Sequence, residues 1–132
     1  MAMGGSNSAG IGCGCSAPCG SISISGGIVM ATGGDDGAGI GGGFETHCDN
    51  ISITGGSVEA TGRNGGAGIG GGSYGNCQNI TITDGVKNVS ATKGNACNYS
   101  IGPGFGGSLN GTITIGDTNT GSIIENTYTY EP

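Results

Sequence analysis

The sequence predicts an all-β fold: a right-handed parallel β-solenoid (β-helix) of about four coils, with a repeat of ~29 residues. Three observations lead there. The phrase Gly37-Ala38-Gly39-Ile40-Gly41-Gly42-Gly43 recurs intact as Gly66-Ala67-Gly68-Ile69-Gly70-Gly71-Gly72, after a variant at 8–14 and before a degenerate copy at 100–107. Its isoleucines fall at 11, 40, 69 and 101, giving steps of 29, 29 and 32. Between the copies, apolar residues alternate with Ser, Thr or Glu, which is the period of a half-buried strand and not of a helix.

Each repeat divides into three segments. The first is the Gly corner, where a single Ile (Ile11, Ile40, Ile69, Ile101) is the inward anchor of an otherwise bare side. The second runs Cys48-Asp49-Asn50-Ile51-Ser52-Ile53-Thr54, matched by 19–25, 77–83 and 109–115. Here Ile22, Ile51, Ile80 and Ile113 are expected to stack in one inward column and Ile24, Ile53, Ile82 and Ile115 in the next, ~4.8 Å between coils. The third is Ser57-Val58-Glu59-Ala60-Thr61-Gly62, matched by 28–33 and 88–93, with Val29, Val58 and Val89 inward. Gly26-Gly27, Gly55-Gly56 and Asp84-Gly85 mark the corner between the two strands. Twenty-nine residues hold too few strands for a propeller blade, and crossovers between parallel strands are right-handed in ~98% of cases, which sets the expected hand.

Residues 1–5 are expected to be a tail, 6–121 the solenoid, and 122–132 a capping strand with its own tail. Extra residues at Val86-Lys87 and Gly94–Asn98 account for the longer third step. An uncapped first coil leaves end-to-end self-association open, because bare strand edges pair with other chains.

Composition limits the function. Gly contributes 34 of 132 residues, with only 3 Pro and no three-residue Gly period, so a collagen helix is excluded. Three basic against nine acidic residues, net −6, argue against nucleic acid and anionic membranes as partners. No apolar run nears the ~20 residues of a membrane span. The low charge implies a surface of Ser, Thr, Asn and Gly, expected of an extracellular or cell-surface module.

Few residues are candidates for chemistry. Cys19, Cys48 and Cys77 share a repeat position with Leu109 and are read as an inward apolar column. Cys13, Cys15 and Cys19 have the spacing of a metal clutch, but no His lies near them in sequence. Cys97, in an insertion, could pair with a cysteine of a neighbouring coil. His47 is the only histidine and has no defined nucleophile or carboxylate partner, so no catalytic constellation and no cofactor are expected. Asp35-Asp36 leaves a calcium ion at one corner open, although the acidic pair is not repeated. Phe44, His47, Tyr74 and Phe105 form a candidate ligand-binding rim on the loops that follow the Gly corner. Ser23, Ser52, Thr81 and Thr114, with Ser25, Thr54 and Thr83, form a candidate hydroxyl face.

The succession Gly-Ala-Gly-Ile-Gly-Gly-Gly, Asn-Ile-Thr-Ile-Thr and Val-x-Ala-Thr-Gly, with the ending Asn-Thr-Tyr-Thr-Tyr-x-Pro, resembles Gly-rich repeats of large surface proteins of anaerobic gut Firmicutes. The resemblance spans Ser8 to Pro132. It implies an adhesin-like β-helix that binds a polysaccharide or a host or cell-surface glycan. The alternatives are a structural stalk unit and an ice-binding hydroxyl lattice. A lyase on the same architecture would need clustered carboxylates and basic residues on one face, yet Arg63 is the only arginine.

Overall fold

A computed structural model describes residues 1–16 and 20–132, and among these the chain forms strands and no helix. Each coil crosses three sheets in turn. The first sheet stacks β2 (Ile11–Gly12), β5 (Ile40–Gly41), β8 (Ile69–Gly70) and β11 (Ile101–Gly102). The second stacks β3 (Ile22–Ile24), β6 (Ile51–Ile53), β9 (Ile80–Ile82) and β12 (Ile113–Ile115), then β13 (Thr118–Asn119). The third stacks β1 (Ala2–Met3), β4 (Ile28–Thr32), β7 (Gly56–Thr61), β10 (Val86–Thr92) and β14 (Thr127–Tyr130). Pairing between successive coils is parallel, whereas β13 and β14 turn back antiparallel on β12 and β10. The architecture is a β-solenoid of about four turns, with the expected ~29-residue spacing.

The register follows the repeat. Ile11, Ile40, Ile69 and Ile101 are Cα partners down the first sheet, and Ile22, Ile51, Ile80 and Ile113 down the second. Val29, Val58 and Val89 match in the third. These columns face one another and make the core. Fully burying an Ile or Val stabilises the fold by about 1.5–3 kcal/mol. The columns are not buried evenly. Ile40, Ile51 and Val58 of the second coil are at most 1% exposed, while Ile11, Ile22 and Val29 of the first are only half-buried.

The longer third step is spread along the coil. The offset between partners is 29 at Ile53/Ile82, 30 at Gly56/Val86, 31 at Ser57/Asn88 and 32 at Ile69/Ile101. Lys87 is one of the added residues, bulged out between Val86 and Asn88 where the register shifts.

Two expectations change. Residues 1–5 are not a simple tail: Ala2 pairs with Ala31 and Met3 with Thr32, and the Gly4 N–H donates to the Thr32 carbonyl at 2.8 Å. The reason is local sequence: Met1-Ala2-Met3-Gly4-Gly5 has the pattern of Met30-Ala31-Thr32-Gly33-Gly34 one coil later. Cys97 does not pair with another cysteine. It is a buried free thiol, 3.4 Å from the Tyr99 carbonyl and 3.7 Å from that of Pro103.

Candidate functional site

Each coil leaves the first sheet through glycine because there is no room for a side chain. A Cβ on Gly41 would lie 1.9 Å from the Gly70 carbonyl oxygen of the next coil, and one on Gly70 would lie 1.9 Å from Gly102. The chain then makes a tight turn into the second sheet. The turns are Gly43-Phe44-Glu45-Thr46, Gly72-Ser73-Tyr74-Gly75 and Gly104-Phe105-Gly106-Gly107, each closed by a backbone bond from fourth residue to first. The third residue takes a positive φ in every case: 54° at Glu45, 58° at Tyr74 and 77° at Gly106.

The turns bring three predicted rim residues together. The Phe44 and Tyr74 rings meet edge-to-face with centroids 5.8 Å apart, and so do Tyr74 and Phe105. Tyr74 is 52% and Phe105 45% exposed, and Phe44 is half-buried. Phe44 and Phe105 occupy the second turn position, but the middle rung comes from the third. The Ser73 hydroxyl, at the second position of that turn, instead donates to Asp36 Oδ1 at 2.9 Å. The Tyr74 ring lies against Gly106, where an added Cβ would be only 2.7 Å from its Cδ1.

His47 stands on the same loop but does other work. Its Nδ1 accepts the Asn76 N–H at 3.2 Å, and Asn76 Oδ1 in turn accepts the Ser108 N–H at 2.8 Å. This column joins one coil to the next beside the rings. Asn79 Oδ1 does the same for the Thr112 N–H at 2.8 Å. Thr46, buried within the loop, donates to the Gly14 carbonyl at 2.7 Å.

The hydroxyl face runs in register down the second sheet as Ser23, Ser52, Thr81 and Thr114. Beside it, Thr83 Oγ1 donates to the Thr54 carbonyl at 3.4 Å, and Ser25 and Thr54 are exposed. A second hydroxyl column was not anticipated. Thr32, Thr61, Thr92 and Thr127 are successive partners on the third sheet, and the Thr92 and Thr127 hydroxyls are 3.1 Å apart. The repeated Val-x-Ala-Thr phrase carries that signal.

The remaining chemical candidates have protein partners. Asp35 pairs with Arg63 Nη2 at 3.4 Å, and Asp36 also accepts the Gly65 N–H at 3.2 Å. Cys48, Cys77 and Leu109 form the expected column, while Cys19 lies outside the described residues. Burial raises the Cys48 thiol to about 11 and pushes the Cys77 thiol higher still, with Cys48 adding to that shift. Of the suggested metal clutch, Cys13 is disulfide-bonded and Cys15 is an exposed free thiol. Among the described residues, no three His, Cys, Asp or Glu side chains gather as metal ligands, and the surface forms no enclosed pocket.

A family model described as a beta helix repeat matches residues 22–44 and 51–73. Each match starts on the second sheet, at β3 or β6, and ends in the turn that carries the rim, so it covers about one coil. Sequence and structure agree on a β-helix repeat domain. No curated protein and no solved structure matches the chain.

Proposed function

We propose that this domain is a non-catalytic, extracellular binding or adhesion module that takes a neutral glycan along the Phe44–Tyr74–Phe105 ladder. The observation that carries the reading is the ladder itself. Three of the chain's six aromatic residues, from three successive coils, line one corner, with Tyr74 and Phe105 exposed and Phe44 half-buried. Aromatic faces pack on the apolar faces of sugar rings, while the amides and hydroxyls beside them offer hydrogen bonds. The corner is open and not a pocket, which suits a chain-like ligand lying across the coils. Glu45 on the same loop, Asp36 behind Ser73 and a net charge of −6 disfavour acidic polysaccharides. The cell-surface setting rests on the uncharged Ser/Thr/Asn surface and the sequence resemblance.

Binding of the purified domain to neutral, amino and acidic polysaccharides tests the reading. Neutral glycans should bind, and Tyr74→Ala should weaken them roughly tenfold, an effect of about 1.4 kcal/mol, without changing the melting temperature by more than a few degrees. No glycan binding, or binding indifferent to Tyr74→Ala, would overturn it. The regular stacking of the coils would then favour the structural spacer. The hydroxyl rows support ice binding less well. Serine occupies positions 23 and 52 of one row, and exposed Met30 and Glu59 stand beside the threonines of the other.

A further inference from the structure

A second column borders the aromatic ladder. Three residues after Phe44, Ser73 and Phe105 the chain reaches His47, Asn76 and Ser108, which keep the steps of 29 and 32. The residues that follow them, Cys48, Cys77 and Leu109, are register partners packed on the inner side. Side chains alternate along an extended chain, so positions 47, 76 and 108 point out of the coil. His47 and Ser108 are exposed and Asn76 is partly exposed.

Hydrogen bonds between coils fix which polar atoms of this column face outward. His47 Nδ1 accepts the Asn76 N–H at 3.2 Å, and an imidazole that accepts at Nδ1 carries its proton on Nε2. Asn76 Oδ1 accepts the Ser108 N–H at 2.8 Å, which turns the amide nitrogen away from that bond. Asn79, one step along the same strand, repeats the arrangement. Its Oδ1 accepts both the N–H of Thr112 at 2.8 Å and the hydroxyl at 3.3 Å. Gly111 leaves the room for it, since an added Cβ would lie 2.4 Å from Asn79 Oδ1. Among the described residues, none accepts from His47 Nε2 or from the amide nitrogens of Asn76 and Asn79. The acceptors of this column are thus used between coils, and the donors face solvent.

A glycan lying on the rings therefore meets N–H donors along this side. Sugar hydroxyls both donate and accept, so they place no special demand on such a row. A carbonyl oxygen only accepts, and a row of donors selects for it, because a ligand without that oxygen leaves the donors unpaired. In a neutral glycan the group that offers a carbonyl is an acetamido substituent. Its methyl is apolar and packs with the sugar faces on the exposed Tyr74 and Phe105 rings. Its N–H needs an acceptor. Glu45 supplies an exposed carboxylate at the turn position that Tyr74 holds one coil later. The donors run from the second coil to the fourth, as the rings do, which suits a group that recurs along a chain.

We infer that the ligand of the ladder is an N-acetylated amino-sugar polymer, its acetamido carbonyls received by the His47 Nε2–H and by the NH2 groups of Asn76 and Asn79. The inference rests on the glycan reading of the ladder and adds the class of sugar. The rings supply affinity for sugar faces in general, and the donors separate acetylated chains from plain ones.

Isothermal titration calorimetry of the full chain with β-linked pentamers of N-acetylglucosamine, glucose and glucosamine tests the inference. The acetylated pentamer should bind roughly tenfold or more tightly than the glucose pentamer. Free chitin-type chains and the amino-sugar strands of cell walls share the acetamido group. Peptide-free wall strands, with a carboxylate on alternate sugars, separate the two sources and should bind more weakly. Asn76→Asp keeps an oxygen for the Ser108 N–H and turns the outward donor into an acceptor. The affinities for the acetylated and glucose pentamers should then come within about threefold of one another, with the melting temperature within a few degrees of the parent. Both pentamers are neutral, so the added charge acts on them alike. Tyr74→Ala should weaken both. Equal binding of the acetylated and glucose pentamers would overturn the inference and leave the ladder reading standing, whereas no binding of any pentamer would overturn both. Tighter binding of the cationic glucosamine pentamer would overturn it too, because Glu45 and the net charge of −6 would then select the ligand in place of the donors. So would an Asn76→Asp variant that keeps the parent's preference.

Discussion

At the scale of single residues, glycine decides what the corner can be. Gly41 has a φ of 134°, and the conformation repeats at Gly12, Gly70 and Gly102 with values of 133°, 135° and 150°. Side chains other than hydrogen rarely adopt that backbone. The space is closed as well, since the atom nearest an added Cβ is the backbone oxygen of the next coil and cannot rotate away. Gly41→Ala should therefore destabilise the domain by at least ~2 kcal/mol, combining backbone strain with a displaced coil. Urea unfolding measures this, and an unchanged midpoint would contradict the corner geometry. Gly106 illustrates a different use of glycine. Its missing side chain leaves the place that the Tyr74 ring occupies, so the middle rung of the aromatic ladder depends on a residue in the following coil.

At the scale of elements, the inward columns were legible because two periods coincide: alternation within a strand, and a fixed step between strands. Ile51, Ile53 and Val58 could be placed from those periods alone. Tyr74 could be named but not positioned. It stands one turn position past Phe44, and its ring joins the ladder only because Ser73 turns to Asp36 and Gly106 offers no obstacle. The role of His47 in bonding the Asn76 N–H was not legible, because that depends on the stagger between loops. Lys87 was seen as part of an insertion, but spreading the added residues over several places is a matter of local register. The end strand β14 carries its own titratable contact. Tyr130 bonds to Asp84, in the turn before β10, and that hydrogen bond raises the Tyr130 phenol from 10.0 to about 12. A folded-state value above the unfolded one means the contribution is complete below pH 10 and is lost as pH rises towards 12. Between those values β14 should fray before the coils unfold, seen as the Thr127 and Thr129 methyl resonances moving to random-coil positions ahead of the loss of the β-sheet circular dichroism signal. Tyr130→Phe has neither the bond to Asp84 nor the phenol, so that pH-dependent step at β14 should be absent. If parent and variant titrate alike, Tyr130 does not hold the cap.

At the scale of the whole molecule, stability follows the stack. A solenoid coil contacts only its neighbours, so its local stability is set by how many neighbours it has. The second and third coils are covered on both sides: Ile40, Ile53, Ile69, Ile80 and Ile82 have no exposed surface. The fourth coil is covered by reversed strands, and Ile113 stays at 0% and Ile115 at 4%. Among the described residues, the first coil lacks that cover on two of its three sheets. Opening should therefore begin at β2 and β3 and advance inward. Hydrogen exchange followed by mass spectrometry should show amides of β6 and β9 exchanging at least roughly tenfold slower than those of β2 and β3, with β12 close to the interior strands. Uniform protection along the stack would mean that the molecule opens as one unit and that nearest-neighbour contacts do not govern its stability.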